Sequence, residues 1–192
     1  MRVSGPGQPV HLLLDVVDLL NELHISYAVV GALAVAFHGV PRSTNDGDAI
    51  IWLKQTENSG RGLTERLEAA GYHAELRAGD PDDPIIGAIA IQDEHLNRMD
   101  LLLGIRGMDL AADERSVSGN LFGASVRFAG AEDLIAMKVF AGGPSDIDDV
   151  QGILHVSGQS VDRELLSRLA RQYGIDVKSQ LDGILKNLGD VR

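Results

Sequence analysis

The segment from Gly31 to Leu53 constrains the fold of this chain more than any other stretch of the sequence. A short apolar run, Tyr27 to Val30, is typical of a buried strand and ends directly at Gly31. Small residues from Ala32 to His38 follow and predict a short helix, and the apolar run Asp46 to Leu53 predicts a second strand. Strand, turn, helix and strand in such close succession favour a sheet with helices packed on its faces.

The glycine that ends the first strand predicts a site for an anion. Because glycine has no side chain, a ligand can approach the backbone of Gly31 closely. The first N–H groups of the following helix, including that of Ala32, have no partners within the helix, and they favour a negative charge. A phosphate chain fits this arrangement best.

Three aspartates at the beginnings of two predicted strands indicate a site for divalent metal ions. Asp46 and Asp48 are two residues apart and so face the same side of their strand, and Asp100 opens the apolar run that ends at Leu103. Carboxylates on one face repel each other unless a cation lies between them. The alternative is a hairpin turn at Asp46-Gly47, since Asp-Gly is a strong turn signal. The residues before Asp46 disfavour a hairpin, because they include a proline and do not alternate between apolar and polar as a partner strand would.

The remaining chain predicts an α/β (α+β) protein with a mixed β-sheet core flanked by helices and a C-terminal helical segment. We expect the core to span residues 9–141 and the helical segment, packed on the core, to span 145–190, with Gly142-Gly143-Pro144 between them. Further strands are predicted at 72–76, 85–91, 98–103, 116–119 and 124–128, and further helices at 9–23, 57–70, 131–141, 145–156, 161–173 and 176–188.

Composition excludes several classes of protein. The 192 residues carry a net charge of −11 and contain no cysteine, which removes disulfides and thiolate metal sites. The acidic balance disfavours a large nucleic-acid surface, because such binding depends on phosphate neutralisation. No apolar run is long enough to span a membrane and the first residues do not resemble a secretory signal, so we expect a cytoplasmic protein with no membrane partner.

The motifs together resemble a known superfamily. The chain carries the pattern G-[GA]-L-A-x-x-x-H-G-x-x-R-x-T-x-D-x-D from Gly31, then D-L-L from Asp100, then E-D-L-I-x-x-K ending at Lys138. This series, within residues 25–155, is similar to the polymerase-beta-type nucleotidyltransferases, and within them to the AbiEii-like toxin nucleotidyltransferases. The resemblance implies a nucleotidyltransferase core that uses a nucleoside triphosphate and two Mg²⁺ ions, or Mn²⁺ in their place.

The resemblance also implies roles for individual residues. Asp46 and Asp48 would hold the metal ions that grip the triphosphate, and Asp100 would complete the second metal site and help to deprotonate the acceptor hydroxyl. Gly31 and Ala32 would hold phosphates through their backbone amides.

Two basic residues are further candidates for binding the nucleotide. Lys138 lies in a helix that is apolar on nearly all sides, so its ammonium group must reach either water or an anion. In the resembled family this lysine approaches the phosphates or a neighbouring acid. Arg42, between the glycine turn and the aspartates, could reach the triphosphate; the alternative is an ordinary surface residue of a loop.

Two departures from the family pattern suggest a weakened enzyme. Ala32 stands where glycine or serine is usual, and Gly47 stands where an aliphatic residue is usual, which predicts unfilled volume in the packing layer.

After the Gly-Gly-Pro break, Asp146 and Asp149 occupy the place of a D-x-x-D pair of the family. The simpler interpretation is helix capping, with Ser145 as the N-cap residue and acids favouring the helix start.

The sequence therefore supports three functional hypotheses. The first is a nucleotidyltransferase that transfers a nucleoside monophosphate to a hydroxyl of RNA, protein or a small molecule, as the toxin of a toxin–antitoxin pair with a cognate antitoxin as partner. The second is a catalytically weakened binding protein with the same fold. The third is a metal-dependent phosphohydrolase, which would share the carboxylates but need no acceptor.

Overall fold

A computed structural model describes residues 1–53 and 59–189 and shows helices packed around one sheet. In chain order the elements are α1 (Pro9–Glu22), β1 (Ser26–Val29), α2 (Gly31–Phe37), β2 (Asp46–Trp52), α3 (Gly60–Ala69), β3 (His73–Ala78), β4 (Ile85–Gln92), β5 (Arg98–Ile105), β6 (Val117–Leu121), β7 (Ala124–Phe128), α4 (Ala131–Ala141), α5 (Pro144–Ser157), α6 (Arg163–Tyr173) and α7 (Ile175–Gly189).

Within the described residues, seven strands form a single mixed sheet in the order β3-β4-β5-β2-β1-β7-β6. The pairs β2–β5 and β1–β7 are parallel, and the other neighbouring pairs are antiparallel. The predicted fold class is therefore confirmed. The two antiparallel pairs expected from the sequence, β4–β5 and the β6–β7 hairpin, are also present.

The fold brings the short β1 strand between β2 and β7, in the interior of the sheet. Alternating burial puts Ala49 and Ile51 of β2 and Met99 and Leu101 of β5 on the face that packs away from the aspartates. Leu13 of α1 lies against this face. The opposite face is therefore left to the polar residues at the beginnings of β2 and β5.

The C-terminal helices complete the core around α4. Every residue from Asp133 to Val139 of α4 is buried, so the helix is enclosed on all sides. Leu166 and Leu169 of α6 and Leu181 of α7 belong to the same hydrophobic cluster as the sheet residues. The division of the chain at residues 141 and 145 stays a prediction.

Several details differ from the expectations, mostly at the ends of elements. The helix expected from residue 57 is observed from Gly60, and residues 57 and 58 lie outside the described part of the chain. A 3₁₀ turn at Leu110–Ala112 was not expected. The N-cap of α5 is Gly143 and makes no side-chain hydrogen bond, so the prediction of Ser145 as the cap is wrong; Pro144, with its fixed φ, already occupies the first helical turn.

Candidate active site

The three aspartates lie at the beginnings of two adjacent parallel strands. Asp48 of β2 is directly paired with Asp100 of β5, and Asp46 is paired with Arg98. Register partners in a sheet point to the same face, as do residues two apart on a strand. The backbone therefore places Asp46, Asp48 and Asp100 on one face.

Burial and mutual repulsion disfavour charge on Asp48. Burial is the largest cause and the carboxylates of Asp46 and Asp100 add to it, and together they raise the pKa of Asp48 from 3.8 to about 6. Lys138 and Arg42 act in the opposite direction but do not cancel the shift. Burial also raises the pKa of Asp100, opposed by the positive charge of Arg77 and assisted by Asp46.

Gly31 lies against the Asp48 carboxylate. The backbone N–H of Val30 donates to the Asp48 carbonyl oxygen at 2.9 Å, which fixes the end of β1 beside β2. Gly31 then adopts φ +61°, and a Cβ atom at this position would lie 2.1 Å from Oδ2 of Asp48. Only glycine fits here, for both its conformation and its size. The N–H groups of Gly31 and Ala32 precede the first helical hydrogen bond of α2, from Ala34 to Val30.

The donor set at this face suits a hard divalent cation, although the side chains do not form a finished cage. Carboxylate oxygens are the ligands that Mg²⁺ prefers, and the raised pKa of Asp48 is the electrostatic cost that a cation would relieve. The Asp48 side chain turns toward Gly31, while Oδ1 of Asp46 accepts a hydrogen bond from Thr44 at 2.6 Å. Within residues 1–53 and 59–189, no three His, Asp or Glu side chains are grouped closely enough to hold a metal ion.

Lys138 and Arg42 meet at one buried carboxylate. Nζ of Lys138 lies 2.8 Å from both Asp146 and Asp149, and Arg42 Nη1 lies 2.5 Å from Asp149. The side chains of Lys138 and Asp149 are only 9% and 7% exposed, so this is an internal ion-pair network. Asp146 and Asp149 thus join α5 to α4 and to the loop after α2. Asp146 lies in the first turn of α5, as expected of an acid at a helix start, whereas Asp149 does not and serves the ion-pair network instead.

Two cavities of different character flank the aspartates. The first, of about 300 Å³, has mainly apolar walls, and Asp48, Gly31 and Lys138 line it together with Leu102 and Met137.

The second cavity is polar. It is an open groove of about 410 Å³ on the sheet face of β3, β4 and β5. Asp46 and Asp100 line it, and Glu75, Arg77 and Arg98 are among its other charged residues. Asp48 thus faces the apolar cavity, whereas Asp46 and Asp100 face the polar groove.

Gly47 does not leave a hole in the packing layer. A Cβ atom at this position would lie 3.0 Å from Cδ1 of Leu13 and 3.5 Å from Cβ of Met99. The expectation of unfilled volume is wrong, because Leu13 of α1 occupies the space that an aliphatic side chain would take. The residue is therefore accounted for by packing on the face opposite the aspartates.

Sequence reasoning did not identify the groove residues Glu75 and Arg77. They lie on the edge strand β3, and the ion pair between them, with 2.6 Å between Arg77 Nη2 and Glu75 Oε2, is exposed. Their alternation along β3 was a signal that they share a face, but only the strand order brings that face beside Asp100.

Comparisons with known proteins bear on the fold. No protein-family model matches the chain, and no curated protein matches it. Among solved structures, an antigenic nucleotidyltransferase-like protein from Paracoccidioides brasiliensis is 14% identical, with a TM-score of 0.62, over 98% of this chain and 93% of the other. The antibiotic-resistance factor ANT(2'')-Ia is 14% identical, with a TM-score of 0.56, over 94% of this chain and 97% of the other.

A second structure of ANT(2'')-Ia, in complex with adenylyl-2''-tobramycin, is 16% identical, with a TM-score of 0.53, over 85% of this chain and 95% of the other. At such identities the likeness concerns the fold, and the chain has the fold of nucleotidyltransferases. Among the described residues, no helix combines the length and the apolar character needed to cross a membrane.

Proposed function

We propose that this protein is a Mg²⁺-dependent nucleotidyltransferase that moves a nucleoside monophosphate from a nucleoside triphosphate to a hydroxyl group. The observation that carries the proposal is the register pairing of Asp48 with Asp100, with Asp46 on the same face and the Gly31 turn against Asp48. Two substrates need two binding spaces, and a cavity lies on each side of these carboxylates.

The apolar cavity suits the nucleoside triphosphate. Its apolar walls can cover the base and sugar, and the N–H groups of Gly31 and Ala32 can donate to phosphate oxygens at its edge. Lys138 lines the same cavity and has three N–H donors; it donates one to Asp146 and forms an ion pair with Asp149 at 2.8 Å. A further N–H of this ammonium group is available to a phosphate, while the charges of Lys138 and Arg42 are balanced by Asp146 and Asp149.

The polar groove suits the acceptor. Asp100 lines it and would receive the proton of the attacking hydroxyl. The hydroxyl oxygen forms a bond to the α-phosphorus as the bond to the leaving pyrophosphate breaks. Asp46, Asp48 and Asp100 are the residues that would hold two Mg²⁺ ions, or Mn²⁺, and such ions would supply charge stabilisation to the entering and leaving oxygens.

Several finer assignments belong to the same proposal. They are the AbiEii-like branch, a toxin role with an antitoxin partner, a cytoplasmic location, and an acceptor that is RNA, a protein or a small molecule. The solved structure of ANT(2'')-Ia with adenylyl-2''-tobramycin supports a small-molecule acceptor by analogy of fold alone.

One observation favours the second candidate function, a binding protein with a weakened active site. Both basic candidates, Arg42 and Lys138, already pair with Asp149. If these pairs persist in the presence of nucleotide, the triphosphate loses two of its partners.

The test is transfer of label from each of four α-labelled nucleoside triphosphates, with Mg²⁺, to RNA, proteins and small hydroxyl compounds. We expect transfer by the wild-type chain, loss of transfer with Asp48→Asn and Asp100→Asn, and normal transfer with Asp82→Asn in an exposed loop. Release of phosphate without transfer would identify a phosphohydrolase. Absence of both transfer and nucleotide binding by calorimetry would contradict the proposal and favour the binding protein.

A further inference from the structure

A second candidate binding site lies between α6 and α7, in the C-terminal helical segment. It is a surface groove of about 700 Å³. Eight residues line it: Arg163, Glu164, Ser167, Arg168, Arg171, Ile175, Lys178 and Ser179. Four of the eight are basic and one is acidic, which is the reverse of the balance in the whole chain.

The helical repeat explains why the basic side chains of α6 gather in this groove. Arg163, Arg168 and Arg171 fall within one sector of the helix, while Leu166 and Leu169 on the other side are buried in the core. The three arginines are exposed. Their side chains are therefore available to a ligand, and the packing of α6 does not depend on them.

The arginines are not neutralised by neighbouring acids. In the part of the chain that the structure describes, no carboxylate lies within 4 Å of Arg163, Arg168 or Arg171, whereas Lys178 pairs with Asp182. The positive charge of the groove consequently rests on three guanidinium groups. Planar guanidinium groups bind phosphate oxygens in a bidentate manner, more specifically than an ammonium group does.

Charge is distributed unevenly along the chain. Residues 161–192 carry 6 basic and 5 acidic residues, whereas residues 1–160 carry 11 basic and 23 acidic residues. A broad anionic surface such as a membrane would meet this acidic remainder and be repelled by it. A thin anionic chain can lie in the groove alone, so the charge pattern favours a narrow ligand.

We infer that the groove between α6 and α7 binds a single strand of nucleic acid through its phosphates. Arg163 and Arg171 are eight residues apart, about 12 Å along the helix axis, which is long enough for more than one phosphate. Ile175 is 75% exposed at the groove and offers an apolar surface to a sugar or base. This site does not depend on the proposed transfer reaction.

The test is fluorescence polarisation of labelled eight-nucleotide RNA and DNA strands with the full chain, in low salt and across a salt series. We expect the strand to bind. A plot of the logarithm of the association constant against the logarithm of the salt concentration should have a slope of about −2, as three neutralised phosphates on a single strand require. The Arg168→Glu/Arg171→Glu variant should bind at least about tenfold more weakly at low salt, because two of those contacts become repulsive. A matched control, Arg61→Glu/Arg66→Glu, reverses two exposed arginines of α3 and should bind like the wild type.

Four outcomes would overturn the inference. The first is absence of strand binding at low salt, and the second is an equal loss in the α3 control. The third is competition by inorganic triphosphate as strong as that by the unlabelled strand, which would indicate a site for a small anion. The fourth is binding to vesicles containing anionic lipid in preference to the strand. Circular dichroism of both variants checks that neither charge reversal unfolds the chain.

Discussion

The single residue Gly31 couples the end of β1 to the candidate active site. Its φ of +61° is unfavourable for other residues, and a Cβ atom would lie 2.1 Å from Oδ2 of Asp48. Gly31→Ala therefore combines backbone strain with displacement of the Asp48 carboxylate. We expect a loss of about 1–3 kcal/mol in the free energy of unfolding, measured by urea denaturation, and a loss of nucleotidyl transfer.

Gly71 provides the matched control for this prediction. It also has a positive φ, of +95°, but a Cβ atom there would meet nothing within 4 Å. Gly71→Ala should show a comparable loss of stability with unchanged transfer. If both variants kept full transfer, the contact between Gly31 and Asp48 would have no role in the reaction.

The carboxyl group of Asp48 makes stability depend on pH in the metal-free protein. Its pKa is about 6 in the folded chain against 3.8 for an ordinary aspartate, so the folded state holds the proton more tightly than the unfolded state does. Stability from this group is therefore present at low pH and is lost as the pH rises from about 4 to above 6. The loss at pH 8 is on the order of 3 kcal/mol.

Asp48→Asn removes this dependence. In EDTA the variant should be more stable than the wild type at pH 8, and the difference in the free energy of unfolding should shrink toward zero near pH 4. The exposed Asp82→Asn should show no such pattern. If the difference in the free energy of unfolding did not change with pH, the charge on Asp48 would not be what destabilises the folded protein.

At the residue scale, local chemistry could be predicted from the sequence but partners could not. The Asp-x-Asp spacing and the glycine at the end of a strand depend only on backbone geometry within a few residues. The spacing of apolar residues is enough to predict that local geometry. The pairing of Asp149 with both Lys138 and Arg42 depends on how α5 packs on α4, at a separation of 107 residues in the case of Arg42. No periodic pattern reports such a contact.

At the scale of elements, the buried network positions α5 against α4. Asp149 is 7% exposed and holds Lys138, which is 9% exposed. Asp149→Asn leaves the Lys138 ammonium buried with Asp146 as its remaining carboxylate, and this should lower the free energy of unfolding by about 3 kcal/mol. Asp148→Asn, at the neighbouring and exposed position, should be neutral. Equal stability of the two variants in thermal denaturation would contradict a structural role for the network.

The contact of α1 with β2 explains the unusual glycine between the two aspartates. Gly47→Val places new atoms where Leu13 Cδ1 now lies, 3.0 Å from the site of a Cβ atom. We expect a loss of about 1–3 kcal/mol in the free energy of unfolding for the single variant. The double variant Gly47→Val/Leu13→Ala should recover part of it by exchanging volume across the interface. No recovery in urea denaturation would mean that Leu13 does not take the place of the missing side chain.

The order of the strands shows which part of the fold was predictable from sequence. Individual strands and helices could be predicted because apolar periodicity is a local pattern. The pairs β4–β5 and β6–β7 could be predicted because each joins strands that are neighbours in sequence. The parallel pairing of β2 with β5 spans α3, β3 and β4. That long-range pairing puts Asp100 beside Asp48. The aspartate pattern indicated that the three carboxylates share a metal site, but it contained no information on strand order or register.

At the scale of the whole molecule, the helical segment and the sheet share one hydrophobic core. α4 is buried from Asp133 to Val139. The helices α6 and α7 contribute Leu166, Leu169 and Leu181 to the same hydrophobic cluster. A fragment of residues 1–141 would expose the apolar side of α4 to water. We therefore expect the full chain to unfold in one cooperative transition, and the fragment to lack fixed tertiary structure by near-ultraviolet circular dichroism.

Fragment complementation separates this prediction from simple damage by truncation. Co-expression of residues 1–141 with residues 142–192 should restore a compact complex with the near-ultraviolet spectrum of the full chain, because the second fragment supplies the missing surface of the core. If residues 1–141 alone unfolded cooperatively with a sharp transition, the sheet would be an independent domain. The C-terminal helices would then be an attachment that the core does not need, and the groove between α6 and α7 could be lost without loss of the candidate active site.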